Sequence, residues 1–219
     1  MATDLALVIF DCDGVLVDSE PISNAVLAAS LTTAGLPTSA AEAVREYKGM
    51  LLADVRARAE QLLGRPLPDG LLDDFERHRE QAFRESLQAM PGAREVVQAV
   101  QAAGVAVCVA SQGKLQKTEQ TLTLAGLRDL FPDDALFSAY QVPRGKPHPD
   151  LFWHAAAVMG AAPEHCAVVE DTVIGVTAAV AAGMRVIGYA AAEDPAALRA
   201  AGALPVRSLA EVPAVLGLG

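Results

Sequence analysis

The chain has 219 residues, enough for one sizeable core and a small insertion, and 52% of them are apolar, much of that alanine. No run approaches the ~20 unbroken apolar residues of a membrane span, so the mean hydropathy of +0.29 reads as buried helices and short strands. A net charge of −10 argues against a nucleic-acid partner, because phosphate backbones recruit clustered Lys and Arg. A small phosphorylated ligand stays open, since it responds to a local metal, lysine or helix N-terminus more than to distant surface charge.

The cysteines Cys12, Cys108 and Cys166 lie in apolar surroundings with no CxxC pair, so neither a disulfide framework nor a zinc site is expected. The N-terminus has no basic lead-in, and its apolar run over residues 5–10 is too short for a signal peptide. The expected protein is cytoplasmic, with no membrane partner, and a monomer or weak dimer.

Residues 5–10 form the first short, uninterrupted apolar run, the mark of a strand buried on both faces. No strand pattern follows until about residue 90. Helices are predicted instead over residues 21–34, 40–47, 52–63 and 70–87, with Ser39 and Glu42 at capping-box spacing. Further strands are predicted at 105–110, 167–170, 184–189 and 203–206, each after a helical stretch ending in Gly or Pro punctuation. The alternation implies right-handed βαβ units. The expected fold is α/β: a doubly wound, Rossmann-like parallel-sheet core over residues 1–17 and 88–219, with an inserted all-helical domain over 18–87.

The first strand ends in Asp11-Cys12-Asp13-Gly14-Val15, and ligands bind at the carboxyl ends of strands in open α/β sheets. Alone, this is also a turn rich in Asp and Gly, although the glycine position and helix-free flanks argue against an EF-hand. Ser111 ends the second predicted strand, Glu170-Asp171 ends the third, and Lys146 stands in the loop Gly145-Lys146-Pro147-His148-Pro149-Asp150. Each has a plain structural reading: a helix cap, an acidic pair complementing a helix dipole, a solvated lysine. Their chemical complementarity at one end of the sheet favours a site. The four histidines show no metal-ligand spacing, Trp153 reads as packing for the helix after Pro149, and Arg77-His78-Arg79 reads as a solvated helix face.

In order and spacing, the stretch from Asp11 to Glu20, Ser111, the Lys146–Asp150 run and Val169-Glu170-Asp171-Thr172 with Gly175 resemble the motifs of the haloacid dehalogenase superfamily. The match is to its phosphatase and phosphomutase branch with a helical cap. The resemblance implies a phosphoric monoester hydrolase acting on a small phosphorylated metabolite, a sugar or sugar-acid phosphate, through an aspartyl-phosphate. It assigns Asp11 as nucleophile and Asp13 as acid/base, with Ser111 and Lys146 binding phosphate. Mg2+ would be held by Asp11, the Asp13 main-chain oxygen, Asp171 and Glu170. Ser19, Glu20, Lys48 and Gly49 would meet the substrate from the cap, although Ser19 and Glu20 also fit N-capping of the helix at Pro21.

Where β-phosphoglucomutase-like relatives carry a histidine and an arginine, this chain has Ser23 and Leu52, which favours hydrolysis over the alternative of a hexose-phosphate mutase. Asp13 argues against dehalogenase and phosphonate-cleaving members, and the intact set of catalytic side chains against a non-catalytic metabolite-binding module. Gln112-Gly113 departs from the usual residues after Ser111. The stretch 131–140 is similar to members acting on phosphogluconate-type substrates.

Overall fold

The computed structural model describes residues 4–218. They divide into two compact units, one made of the residues up to Val17 and from Ala89 onward, the other of Asp18–Gln88.

The chain opens with β1 (Leu7–Phe10), a run of four apolar residues with no solvent exposure. The helical unit follows, with α1 (Glu20–Thr33), α2 (Ala40–Tyr47), α3 (Leu52–Leu63) and α4 (Leu71–Ser86). α2 starts at a complete capping box: Ser39 Oγ accepts from the Glu42 amide at 3.2 Å, and Glu42 Oε2 accepts from the Ser39 amide at 2.8 Å. α3 ends at Gly64, whose left-handed φ of +73° reverses the chain without a Cβ penalty. Leu27, Leu31, Tyr47, Val55 and Phe75 form the core of this unit. The expected solvated face at 77–79 holds for Arg77 but not for Arg79. The Arg79 guanidinium lies 4.9 Å from the Phe75 ring centroid and 5.9 Å from that of Phe83, so its planar head packs on aromatic surface.

The sheet unit resumes through an antiparallel bridge between Val17 and Ala89 and continues with α5 (Ala93–Ala102), β2 (Ala106–Ser111), α6 (Leu115–Leu124), β3 (Leu136–Ser138) and α7 (Asp150–Val158). It ends with β4 (Cys166–Glu170), α8 (Val173–Ala181), β5 (Arg185–Tyr189), α9 (Pro195–Ala200), β6 (Leu204–Val206) and α10 (Val212–Leu216). The strands are all parallel, in the order β3-β2-β1-β4-β5-β6. This is the doubly wound sheet expected from the alternation of runs, with one strand more. β3 spans three residues between loops, too short to show a period.

β1 lies at the centre, with Phe10 in register with Val109 of β2 and Val169 of β4. The strand order reverses between β1 and β4, so the residues just past Phe10 and Val169 border the crevice where such sheets take ligands. Trp153 departs from expectation. Its side of α7 is half-exposed, and its indole N–H donates to the Ala182 carbonyl at 3.2 Å. No helix among the described residues is long and apolar enough to cross a membrane.

Candidate active site

Three neighbouring strands deliver the site residues. Asp11 follows β1 directly, and its amide donates to the Val169 carbonyl at 2.9 Å, extending the ladder by one residue. The chain then turns tightly: the Leu16 amide donates to the Cys12 carbonyl and the Gly14 amide to the Val17 carbonyl, each at 2.9 Å. That turn places Asp13 beside the end of β2. Ser111 Oγ donates to Asp13 Oδ2 at 3.4 Å and accepts from the Gly113 amide at 3.0 Å. Ser111 therefore does not cap α6, which begins after Lys114 without a side-chain cap.

Lys146 is buried at the centre of the cluster. Its Nζ donates to Asp11 Oδ1 and Glu170 Oε1, both at 2.6 Å, and to the Ala110 carbonyl at 3.0 Å. Its three N–H donors thus meet three oxygens, with the Phe152 ring centroid 5.1 Å from the ammonium. The surrounding loop is held by Gln112, whose Oε1 accepts from the Lys146 amide at 2.9 Å and whose Nε2 donates to the Lys146 carbonyl at 3.2 Å. Gly145 leaves room for that amide, since a Cβ there would meet Gln112 Oε1 at 2.6 Å.

Glu170 is buried at the end of β4. Its Oε2 accepts from the Thr172 amide and hydroxyl, each at 3.0 Å, while the Thr172 hydroxyl accepts from the Gly175 amide and so caps α8. A Cβ on Gly175 would overlap the Glu170 carboxylate, which gives that glycine its place in the motif. Glu170 therefore orients Lys146 on one side and anchors α8 on the other.

Burial holds the Asp11 carboxyl well above the usual carboxylate range; the Lys146 cation opposes this, and Glu170, Asp171 and Asp13 reinforce it. Burial pushes the Lys146 ammonium down, but Asp11 and Glu170 outweigh it and hold the group above its ordinary value. One lysine among buried carboxylates leaves the cluster short of positive charge. Asp11, Glu170 and Asp171 each offer an oxygen within 4.8 Å of the others. An all-oxygen, carboxylate-rich donor set suits a hard divalent cation, whose charge would reverse the upward shift at Asp11.

Gly14 completes the cradle. Its φ is +80°, and a Cβ there would sit 2.5 Å from Asp171 Oδ2. Gly14→Ala is expected to cost ~1–2 kcal/mol for the left-handed backbone, and more for the displaced carboxylate. Thermal melts with and without a divalent cation check this: the variant should melt lower and gain less from the cation than the wild type.

Residues 5–183 match the family model for haloacid dehalogenase-like hydrolases. The chain belongs to the haloacid dehalogenase-like hydrolases. It is 32% identical over 189 residues to 6-phosphogluconate phosphatase of Escherichia coli K12, covering 86% of this chain and 83% of that one. Identity to hexitol phosphatase B of the same organism is 33% over 188 residues, covering 84% and 83%. A HAD family hydrolase from Deinococcus radiodurans R1, solved with bound phosphate and sodium, aligns with a TM-score of 0.80 and 34% identity over 99% of this chain and 98% of that one.

Within this haloacid dehalogenase-like core, Asp11, Asp13, Ser111, Lys146, Glu170 and Asp171 come together at the carboxyl ends of β1, β2 and β4. Ser19, Glu20, Lys48 and Gly49 belong to the helical unit. Ser19 precedes α1 in helical conformation, and its side chain makes no capping bond. Glu20 opens α1, its Oε2 accepting from Asn24 Nδ2 at 2.9 Å. Lys48 ends α2 and Gly49 follows with φ +77°. Sequence reasoning missed two contributors, the Gln112 clamp on the Lys146 backbone and Lys117, whose ammonium pairs with Asp13 Oδ1. For Lys117 a signal existed. It lies in the first turn of α6, where a cation opposes the helix dipole, and no carboxylate stands three or four residues away to compensate it.

Proposed function

We propose that the protein is a magnesium-dependent phosphoric monoester hydrolase in which Asp11 attacks phosphorus. The observation that carries the reading is Asp11 itself: buried at the end of the central strand, 2.6 Å from the Lys146 ammonium, and grouped with Glu170 and Asp171. A bound magnesium ion would be held by Asp11, Asp171 and the Asp13 main-chain oxygen, supplying charge that lets phosphate and carboxylates share the crevice. Glu170 would add its charge to the metal site while its oxygens accept from Lys146 and Thr172 and so orient both.

The Asp11 carboxylate forms a P–O bond as the bond to the leaving oxygen breaks, and the Asp13 carboxyl gives that oxygen its proton. Ser111 and Lys146 would hold the oxygens that do not leave, the lysine exchanging one of its three present partners for phosphate. Asp13, now ionised, takes a proton from water as the water attacks phosphorus. Inorganic phosphate and the Asp11 carboxylate result.

The substrate class would be small sugar or sugar-acid phosphates, a reading supported by the phosphatase relatives and by residues 131–140. Selection among them would fall to the helical unit, with Ser19, Glu20, Lys48 and Gly49 the residues singled out by the family resemblance. A cytoplasmic location accords with three free, buried cysteines.

A screen of phosphorylated metabolites with magnesium tests the reading. Phosphate release abolished by chelation supports it. No release from any substrate, with bisphosphate-dependent interconversion of hexose phosphates, would replace it with a mutase. Asp13→Ala is expected to slow turnover at least ~100-fold while inorganic phosphate still binds. Unchanged turnover of a substrate with a poor leaving group would refute the acid/base role.

A further inference from the structure

The Asp13 carboxylate pairs with the ammonium of a residue outside the family motifs. Lys117 Nζ pairs with Asp13 Oδ1, and Ser111 Oγ donates to Oδ2 at 3.4 Å. The Lys117 side chain is only 13% exposed, unusual for a lysine unless it is paired. Its place in the first turn of α6, which has no acidic residue, sets it against the helix dipole. The side chain is largely covered there, and its ammonium pairs with the Asp13 carboxylate. Gly113 leaves space for the lysine stem: a Cβ at Gly113 would lie 3.1 Å from Lys117 Cδ and 3.3 Å from Ser111 Oγ. The departure at Gln112-Gly113 thus has a use on both sides. Gln112 clamps the Lys146 backbone, and Gly113 lets Lys117 reach Asp13.

We propose that Lys117 is a positioning residue for the hydrolytic reaction, holding the Asp13 carboxyl group in the orientation from which it serves the leaving oxygen. The inference rests on the acid/base reading of Asp13. A group that acts through proton donation matters in proportion to how poor the leaving group is, so its support should carry the same signature. A residue that binds phosphate or merely stabilises α6 would affect all leaving groups alike.

The experiment compares kcat/KM for phenyl phosphate and p-nitrophenyl phosphate in the wild type, Lys117→Met, Lys117→Arg, Asp13→Ala and Asp13→Ala/Lys117→Met. Lys117→Met is expected to lose about tenfold on phenyl phosphate and less than about threefold on p-nitrophenyl phosphate, whose leaving group needs little protonation. Lys117→Arg keeps the charge and should recover most of the loss. Inhibition by inorganic phosphate should stay within about twofold of the wild type, and the double variant should match Asp13→Ala, as expected of residues acting as a unit. Equal losses on both substrates, weakened phosphate inhibition, or a further loss in the Asp13→Ala background would overturn the inference. If Asp13→Ala itself shows no leaving-group dependence, the acid/base reading fails. If Asp13→Ala shows it and Lys117→Met does not, the inference fails alone.

Discussion

Asp11→Asn is expected to reduce phosphate release on the order of 10^4-fold or more, because the amide cannot form the phosphoryl ester on which both half-reactions depend. The same substitution should stabilise the metal-free protein. Burial, with Glu170, Asp171 and Asp13 nearby, raises the folded-state carboxyl of Asp11 above its ordinary value. A group raised in this way contributes stability that is complete at low pH and lost as pH rises through the raised value. Asparagine does not titrate. The chelated variant is therefore expected to melt above the chelated wild type at about pH 8 and to lose that advantage towards about pH 4, where both carry a neutral group. Saturating magnesium should invert the order, since it relieves Asp11 and has less to relieve in the variant. Paired thermal melts across pH, with and without magnesium, measure all of this.

Lys146→Met is expected to have the largest effect on folding. The ammonium is the shared partner of Asp11 and Glu170, its side chain only 2% exposed and those of its partners 10% and 1%. Removing one member of a buried ion pair costs ~3–5 kcal/mol, because the remaining charge stays buried without compensation. For a unit of this size that corresponds to a melting point lower by roughly 10 °C. Methionine fills most of the stem volume beside Phe152, so the loss is electrostatic rather than a cavity. Denaturant titration should show the deficit shrinking as pH falls and Asp11 is neutralised. Activity should be lost as well, and magnesium should restore stability in part but not turnover. A variant as stable as the wild type at neutral pH would mean that the cluster does not depend on this cation.

β1, β2 and β4 were legible because each is an unbroken apolar run that ends abruptly on a polar residue, and in a parallel sheet those endings all face one crevice. The pairing of Ser39 with Glu42 announced α2 through chemistry confined to four residues. β3 was illegible because three residues carry no periodicity, and its pairing with β2 is a tertiary event. For Lys117 the sequence signalled an uncompensated cation but not its partner. Its partner Asp13 is 104 positions away, and only the turn after β1 and the packing of α6 bring them together. Arg79 and Trp153 show the converse limit. Composition sorts charged residues outward and aromatic ones inward, whereas a guanidinium can lie on phenyl rings and an indole can stay half in solvent with its N–H satisfied.

The nucleophilic role of Asp11 is tested most directly by trapping its ester. Protein quenched during turnover of p-nitrophenyl phosphate with magnesium, then reduced with borohydride, converts an aspartyl-phosphate to homoserine that peptide mass spectrometry locates. Homoserine in place of Asp11, appearing only when substrate and magnesium are both present, is the expected result. Active turnover with Asp11 unmodified and the label on another residue, or on none, would contradict it.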